Sequence, residues 1–468
     1  MVLILLFVAL ILLQRYGRDS LRSAVFACLC VWSSYEAVCA LMQVAGLSAS
    51  HHAAFAMTGN FSNPGPLGGF VAVSLAVSLS YLVKYRRRYK GWYRGTMYAL
   101  AAVSAFLGFM VLPASMSRGA WLSLAVALVE ILWSEGLLRK FFVGRRWLIL
   151  PVTLLVLLSV AGVFYIKRDS ALGRMHIWHM ELRAMAANPW GTGHGTALAT
   201  YGKTQEEYFR AHLDEVPEVI VRVAGCPEYP FNEFLGTGME SGWPGLMAAL
   251  SVILGGTALL VRRRSIYAAG LVAWSVFALS SYPLSVPQTS VQLMVLLAAV
   301  VPAYRDRRSR TFVPAAVALG LLVATFIMRD RADFTVSDRG GYRELYNSGY
   351  SLYQSGEHAR SNEELGLGAA ISSDPMFHVI MGRNYEALGE YGAAREEYIR
   401  AYYMVPCRLY PLVRLMRMEI ALGNDGDADR IGEKIVSMPV HDGHSLMRRL
   451  HDETVSSLDS LRAAGGRL

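Results

Sequence analysis

The sequence predicts an all-α protein: a polytopic membrane bundle with a large loop outside the cytoplasm and a helical-repeat domain at its C-terminal end. Three observations carry that expectation. Of 468 residues, 54% are hydrophobic and only 17% charged, against about a quarter charged in soluble domains. Apolar runs recur along the first two thirds of the chain. Beyond residue 328 they give way to amphipathic segments in which small and large residues alternate.

A hydrocarbon layer requires roughly twenty apolar residues per helix. About ten runs approach that length: 1–14, 20–46, 66–83, 96–112, 119–134, 147–166, 243–261, 266–282, 288–304 and 311–328. Their connectors alternate in charge. Arg15, Arg18 and Arg22 lie in one, Lys84 to Arg94 in the next basic one, and "LLRKFFVGRR", "RRRS" and "RDRRSR" follow at intervals of two spans. The connectors 47–65 and 283–287 have no Lys or Arg. Basic connectors mark the cytoplasmic side, so the loop 167–242 and the tail are expected outside it. The formal charge of +9 is then a topology signal, and nucleic acid is not an expected partner. The expected domains are 1–328, membrane-embedded with its external loop, and 329–468, extracytoplasmic.

In the tail, "GRNYEALGEYGAAREEYIRAYYMVP" at 382–406 has small residues at Gly382, Gly389, Ala394 and Ala401, aromatics at Tyr385, Tyr391 and Tyr398, and Pro406 at its end. This resembles a tetratricopeptide repeat. Gly349, Gly356 and Pro375 form a weaker copy upstream, and Gly423, Ala428 and Pro439 another downstream. A stack of such pairs offers a concave face to a protein partner, or caps the fold. Cys28, Cys30 and Cys39 read as packing residues; Cys226 and Cys407 fall on the expected outer side, where a disulfide is conceivable. No cysteine pairs have zinc-site spacing.

Three stretches place polar groups at expected membrane boundaries. "FSNPGPLGG" at 61–69 puts Asn63 where it can cap a helix. "PASMSRGAWLSL" at 113–124 sets Arg118 at the outer start of a span, where a cation needs a partner or an interfacial position. The loop opens with "GRMHIWHMELRAMAANPWGTGHG", in which Arg174, Trp178, Glu181 and Met185 share a helix face and His194 sits in a Gly-rich turn. Its middle, "KTQEEYFRAHLDEVPEVIVR", reads as a charged surface helix or lid. It closes with "FNEFLGTGMESGWPGL" at 231–246, whose glycines and Pro244 let the chain bend back into the membrane.

In this order, around one large loop, these stretches resemble the O-antigen ligase/polymerase superfamily over roughly residues 60–300. The resemblance implies a membrane glycosyltransferase that moves a glycan from an undecaprenyl-diphosphate carrier to an acceptor outside the cytoplasmic membrane. The acceptor is a lipid A core in ligases, another repeat unit in polymerases, or a protein hydroxyl in O-oligosaccharyltransferases. Membrane lipids are the other expected partners; neither a cofactor nor a metal is implied. By resemblance Arg118 and Arg174 match the family arginines, which suit a diphosphate because a guanidinium donates two parallel hydrogen bonds.

A general base must accept the acceptor's proton. The ligase pattern has His before Asn where this chain has Phe231 before Asn232. Glu233 is the candidate in its place, with His194, Glu228 and Glu240 as alternatives. Candidate substrate contacts are Asn232, Trp178, Glu240 and Asn63. His176 and His179 have a metal-like spacing but no third partner in the sequence. Two other classes fit less well: a transporter, which predicts internal repeats and broken charged spans, and a non-catalytic scaffold.

Overall fold

The computed structural model describes residues 2–17, 19–87, 91–145, 168–301, 338–438 and 445–465. The expected spans 147–166 and 311–328 lie outside them. The described residues form helices and connecting turns, with no strand among them. The chain gathers into two compact units. One contains Met1–Lys167 and Pro230–Ala332, the other Arg168–Tyr229 and Asp333–Leu468.

The first unit contains helices α1 (Val2–Tyr16), α2 (Asp19–Val44), α3 (Pro64–Tyr85), α4 (Trp92–Ala114), α5 (Arg118–Ser134) and α6 (Leu137–Phe142). After the segment that belongs to the second unit come α10 (Glu233–Arg262), α11 (Ala268–Ala278) and α12 (Pro287–Ala298). Helices α2, α3, α4 and α10 are long and apolar enough to cross a bilayer, and α11 is a shorter apolar helix. Helix α3 is the hub, buried from Leu67 to Ser78. It has two glycines where neighbours come closest. A Cβ at Gly68 would lie 2.8 Å from Ser115 Oγ, and one at Gly69 would enter the Phe277 ring. Helices α4 and α5 turn Val103, Phe106 and Met110, and Leu122, Val126, Val129 and Trp133, outward. Apolar stripes at helical spacing on an exposed surface are the signature of contact with lipid.

Three of the basic connectors meet. Lys84 donates to the Arg264 carbonyl, and Arg86 lies 3.9 Å from Glu135. The Lys-free connectors gather at the opposite end of this unit, where Gln288 Nε2 donates to the Asn60 carbonyl. Helix α10 is two helical segments joined at Gly242, whose φ of 68° and ψ of −173° break the regular path. Only glycine adopts that backbone at little cost, and Pro244 starts the second segment afresh.

The second unit begins with α7 (Arg168–Ala187), α8 (Ala197–His212) and α9 (Glu218–Val223), followed by α13 (Asp338–Gln354), α14 (His358–Ala369), α15 (Met376–Ala387), α16 (Tyr391–Met404), α17 (Leu409–Ala421), α18 (Asp425–Ser437) and α19 (Ser445–Gly465). From α13 onward each helix packs on the next. Three helix pairs turn at Gly356, Gly389 and Gly423, 33 and 34 residues apart, with φ of 82°, 77° and 76°. Small residues meet large ones inside each pair: a Cβ would lie 2.6 Å from Leu365 at Gly349 and 2.7 Å from Tyr398 at Gly382.

The expectation that α8 is a charged surface helix or lid holds for only one of its faces. Lys203, Glu207 and Arg210 are exposed, but Ala197, Tyr201, Gln205 and Phe209, four residues apart, are at most 4% exposed. Gln205 ties this face down: its amide donates to the carbonyls of Gly225 and Met404, and its oxygen meets Tyr201 Oη and, at 2.9 Å, His176 Nε2.

Candidate active site

Helices α3, α5, α10 and α12 all begin at the end of the first unit that has no basic connector. Asn63 Oδ1 accepts Gly65 N–H at 2.9 Å, capping α3 as its position before Pro64 predicts. The turn before α5 is tightly held. Ser115 Oγ donates to the Leu112 carbonyl at 2.7 Å, and Trp121 Nε1 donates to the same carbonyl at 2.9 Å. Between them Met116 takes φ 51°, a conformation costing a non-glycine residue about 1–3 kcal/mol. That turn delivers half-buried Arg118 as the first residue of α5. Gly119 brings the helix start against Ser280, to which a Cβ would come within 2.6 Å.

Asn232 and Glu233 form the start of α10. Asn232 Oδ1 accepts from Phe234 N–H at 3.1 Å and Leu235 N–H at 3.2 Å, so this side chain caps the helix. Glu233 is 1% exposed, and its Oε2 accepts Leu284 N–H at 2.9 Å. Leu284 lies in the turn Pro283–Ser285, which Thr289 and Ser290 fasten through the Pro283 carbonyl. Phe231, at the position where the ligase pattern has His, meets Tyr282 edge to face at 5.7 Å. Glu240, half-buried, lies two residues before the Gly242 break.

Four helix N-termini at one end, two of them capped by Asn63 and Asn232, concentrate the positive ends of four helix dipoles. Such an arrangement favours an anion, and a phosphate-bearing group above all. Two buried carboxylates temper it, each held by N–H groups. One is Glu233. The other, Glu36 on α2, is 3% exposed and accepts from Asn60 N and Nδ2 and from Trp32 Nε1. Sequence reasoning did not single out Glu36, although a lone carboxylate inside an apolar helix is a signal in its own right.

The other candidates lie on the second unit. Arg174, Trp178, Glu181 and Met185 do share one face of α7, with Glu181 and Met185 fully buried. His194 lies in a turn whose Gly191, Gly193 and Gly195 all take positive φ. His176 hydrogen-bonds Gln205 and stacks on Phe209 at 5.5 Å; burial holds its pKa below the ordinary histidine value. Glu228 pairs with Arg343 at 2.8 Å. Cys226 and Cys407 are free thiols, the first receiving a hydrogen bond from Arg408 and the second facing the Ala224 carbonyl at 3.9 Å. Burial raises the pKa of both.

Residues 103–250 match the family model described as O-antigen ligase. All three motif stretches, "SRGAW", "GRMHIW" and "FNEFL", fall inside that match. The resemblance is thereby shown for this region, which is similar to the O-antigen ligase family, and the apolar helices on either side of it fit a membrane protein. No curated protein and no solved structure matches the chain.

Proposed function

We propose that the protein transfers a glycan from an undecaprenyl-diphosphate carrier to an acceptor hydroxyl at the outer face of the bacterial inner membrane, in the manner of an O-antigen ligase. The observation that carries this reading is Arg118, the first residue of α5, at an end where four helices begin, inside the region that matches the ligase family. In the reaction the acceptor oxygen bonds to the anomeric carbon as the bond to the lipid diphosphate breaks. Charge grows on the departing diphosphate, and Arg118 with the helix N-termini stabilises it. Arg174 is the second cation the family resemblance assigns. Glu233, fixed through Leu284, takes the acceptor's proton.

The test is complementation of a deletion strain, with lipopolysaccharide ladders and glycoproteins stained separately. Arg118→Ala and Arg174→Ala should each lower transfer by about 10²–10³-fold, and Glu233→Gln should abolish most of it. Loss of all repeats from the ladder identifies a ligase, a single remaining repeat a polymerase, and loss of glycoprotein alone a protein-directed transferase. Full complementation by Arg118→Ala overturns the catalytic reading.

A further inference from the structure

Helix α13 has a row of half-buried tyrosines, Tyr342, Tyr346, Tyr350 and Tyr353, on the face that packs against Leu365, Phe377 and Ile380. Tyr346 and Tyr350 are parallel with ring centres 6.1 Å apart, and Tyr353 follows at 5.9 Å. With a rise of 1.5 Å per residue the row is about 16 Å long. Each end opens into a hollow within the second unit. One, of about 380 Å³, lies beside Tyr342, Tyr346 and Asn347 and is edged by the Glu228–Arg343 pair and Asp374. The other, of about 750 Å³, is lined by Tyr353, His358, Arg383, Glu386 and Arg414.

Charge in the larger hollow is not balanced. Arg414 is paired with Glu386, but Arg383 has its guanidinium 4.6 Å over the Tyr353 ring and no carboxylate on it among the described residues. It lines the hollow, and a guanidinium there can donate to a carboxylate. The hydroxyls of Tyr346, Tyr350 and Tyr353 have no protein hydrogen-bond partner among the described residues either.

We propose that the hollows at the two ends of this row bind an acidic oligosaccharide, with a sugar carboxylate on Arg383 and sugar rings against the open edges of Tyr346 and Tyr353. A peptide docked on helices relies on apolar pockets for its anchoring side chains, and the larger hollow is lined mainly by charged and polar groups. Sugars present the complement: C–H faces that lie on aromatic rings and hydroxyls that bridge paired charged side chains. The choice of a glycan rests on the transferase reading; the binding measured below involves no transfer, so the two can fail separately.

The test uses the full chain in detergent and fluorescently labelled hexagalacturonate. Wild type should bind it, and unlabelled maltohexaose, which lacks carboxylates, should compete far more weakly. Arg383→Gln should weaken binding about tenfold or more through the lost charge-assisted bonds, with Arg383→Lys between the two. Tyr346→Phe and Tyr353→Phe, which keep the ring and drop the hydroxyl, should each cost about threefold. Arg118→Ala should leave binding unchanged while removing transfer. The proposal is overturned if wild type does not bind the hexagalacturonate, if Arg383→Gln binds it as well as wild type with an unaltered melting curve, or if hexaglutamate competes as strongly, which would make the hollows a site for an acidic peptide.

Discussion

The two units are built from the same α-helices but hold their inward-facing carboxylates in different ways. In the membrane-helix unit the partners are N–H groups and carbonyls. Glu36 is held by Asn60 and Trp32, Gln43 by Thr58 and Gly59, Gln292 by the Phe70 carbonyl and Ser74, and Glu233 by Leu284. In the second unit Gln205 is held in the same way, but inward-facing carboxylates meet opposite charges. Glu386 meets Arg414, and Glu419 meets Arg395 at 2.6 Å. The contrast follows from the surroundings. An ion pair next to lipid must desolvate two charges, and the cost of doing so exceeds most of the gain. A carboxylate held by neutral donors leaves only one charge to accommodate.

Substitution should separate the two modes. The largest effect is expected at Glu386→Ala, which leaves Arg414 and Tyr398 Oη without their carboxylate; about 3 kcal/mol of stability should be lost in thermal melts of the second unit. Gln205→Leu comes next. It strips partners from the Met404 and Gly225 carbonyls, Tyr201 and His176, and about 2–3 kcal/mol should go with them, read by protease sensitivity of α8. In the first unit, Glu36→Ala should cost about 2 kcal/mol because Asn60 and Trp32 lose an acceptor, whereas Glu36→Gln should cost less than about 1 kcal/mol, since an amide oxygen still accepts. A large loss at Glu36→Gln, with detergent melting as readout, would break the contrast, because it would show that the charge itself is what that site requires.

The smallest effect concerns acidity. His176 is neutral in the fold because burial lowers its pKa, while the unfolded chain takes up a proton near pH 6.5. Its stability contribution is complete above that pH. It is lost as pH falls from there toward the lower folded pKa, the unfolded state binding more protons throughout that window. The melting temperature of the second unit should therefore drop between pH 7 and pH 5, and less so in His176→Gln.

Much of the first unit was legible in the sequence because a bilayer demands length and apolarity, and both are local properties. Helices α2, α3 and α4 lie where the runs at 20–46, 66–83 and 96–112 put them. The turns at Gly356, Gly389 and Gly423 were legible because positive φ selects glycine. At the candidate site Asn63, Arg118 and Glu233 were flagged by type and position. The group that holds Glu233 was not, since a Leu284 N–H has no sequence signature. Asn232 shows the reverse: a residue read as a substrate contact spends its side-chain oxygen on the helix start. Nor could the buried face of α8 be assigned a partner, because Met404 stands 199 residues beyond Gln205.

That separation has a consequence in time. The second unit is assembled from two stretches of chain, and α8 leaves the ribosome well before the helix that supplies the Met404 carbonyl. At a synthesis rate of about 5–20 residues per second, the interval is about 10–40 s. Throughout it, Tyr201, Gln205 and Phe209 have left the ribosome while the C-terminal helices of their unit do not yet exist. A nascent chain in that condition depends on whatever holds unfolded protein in its compartment, and a slower ribosome lengthens the wait.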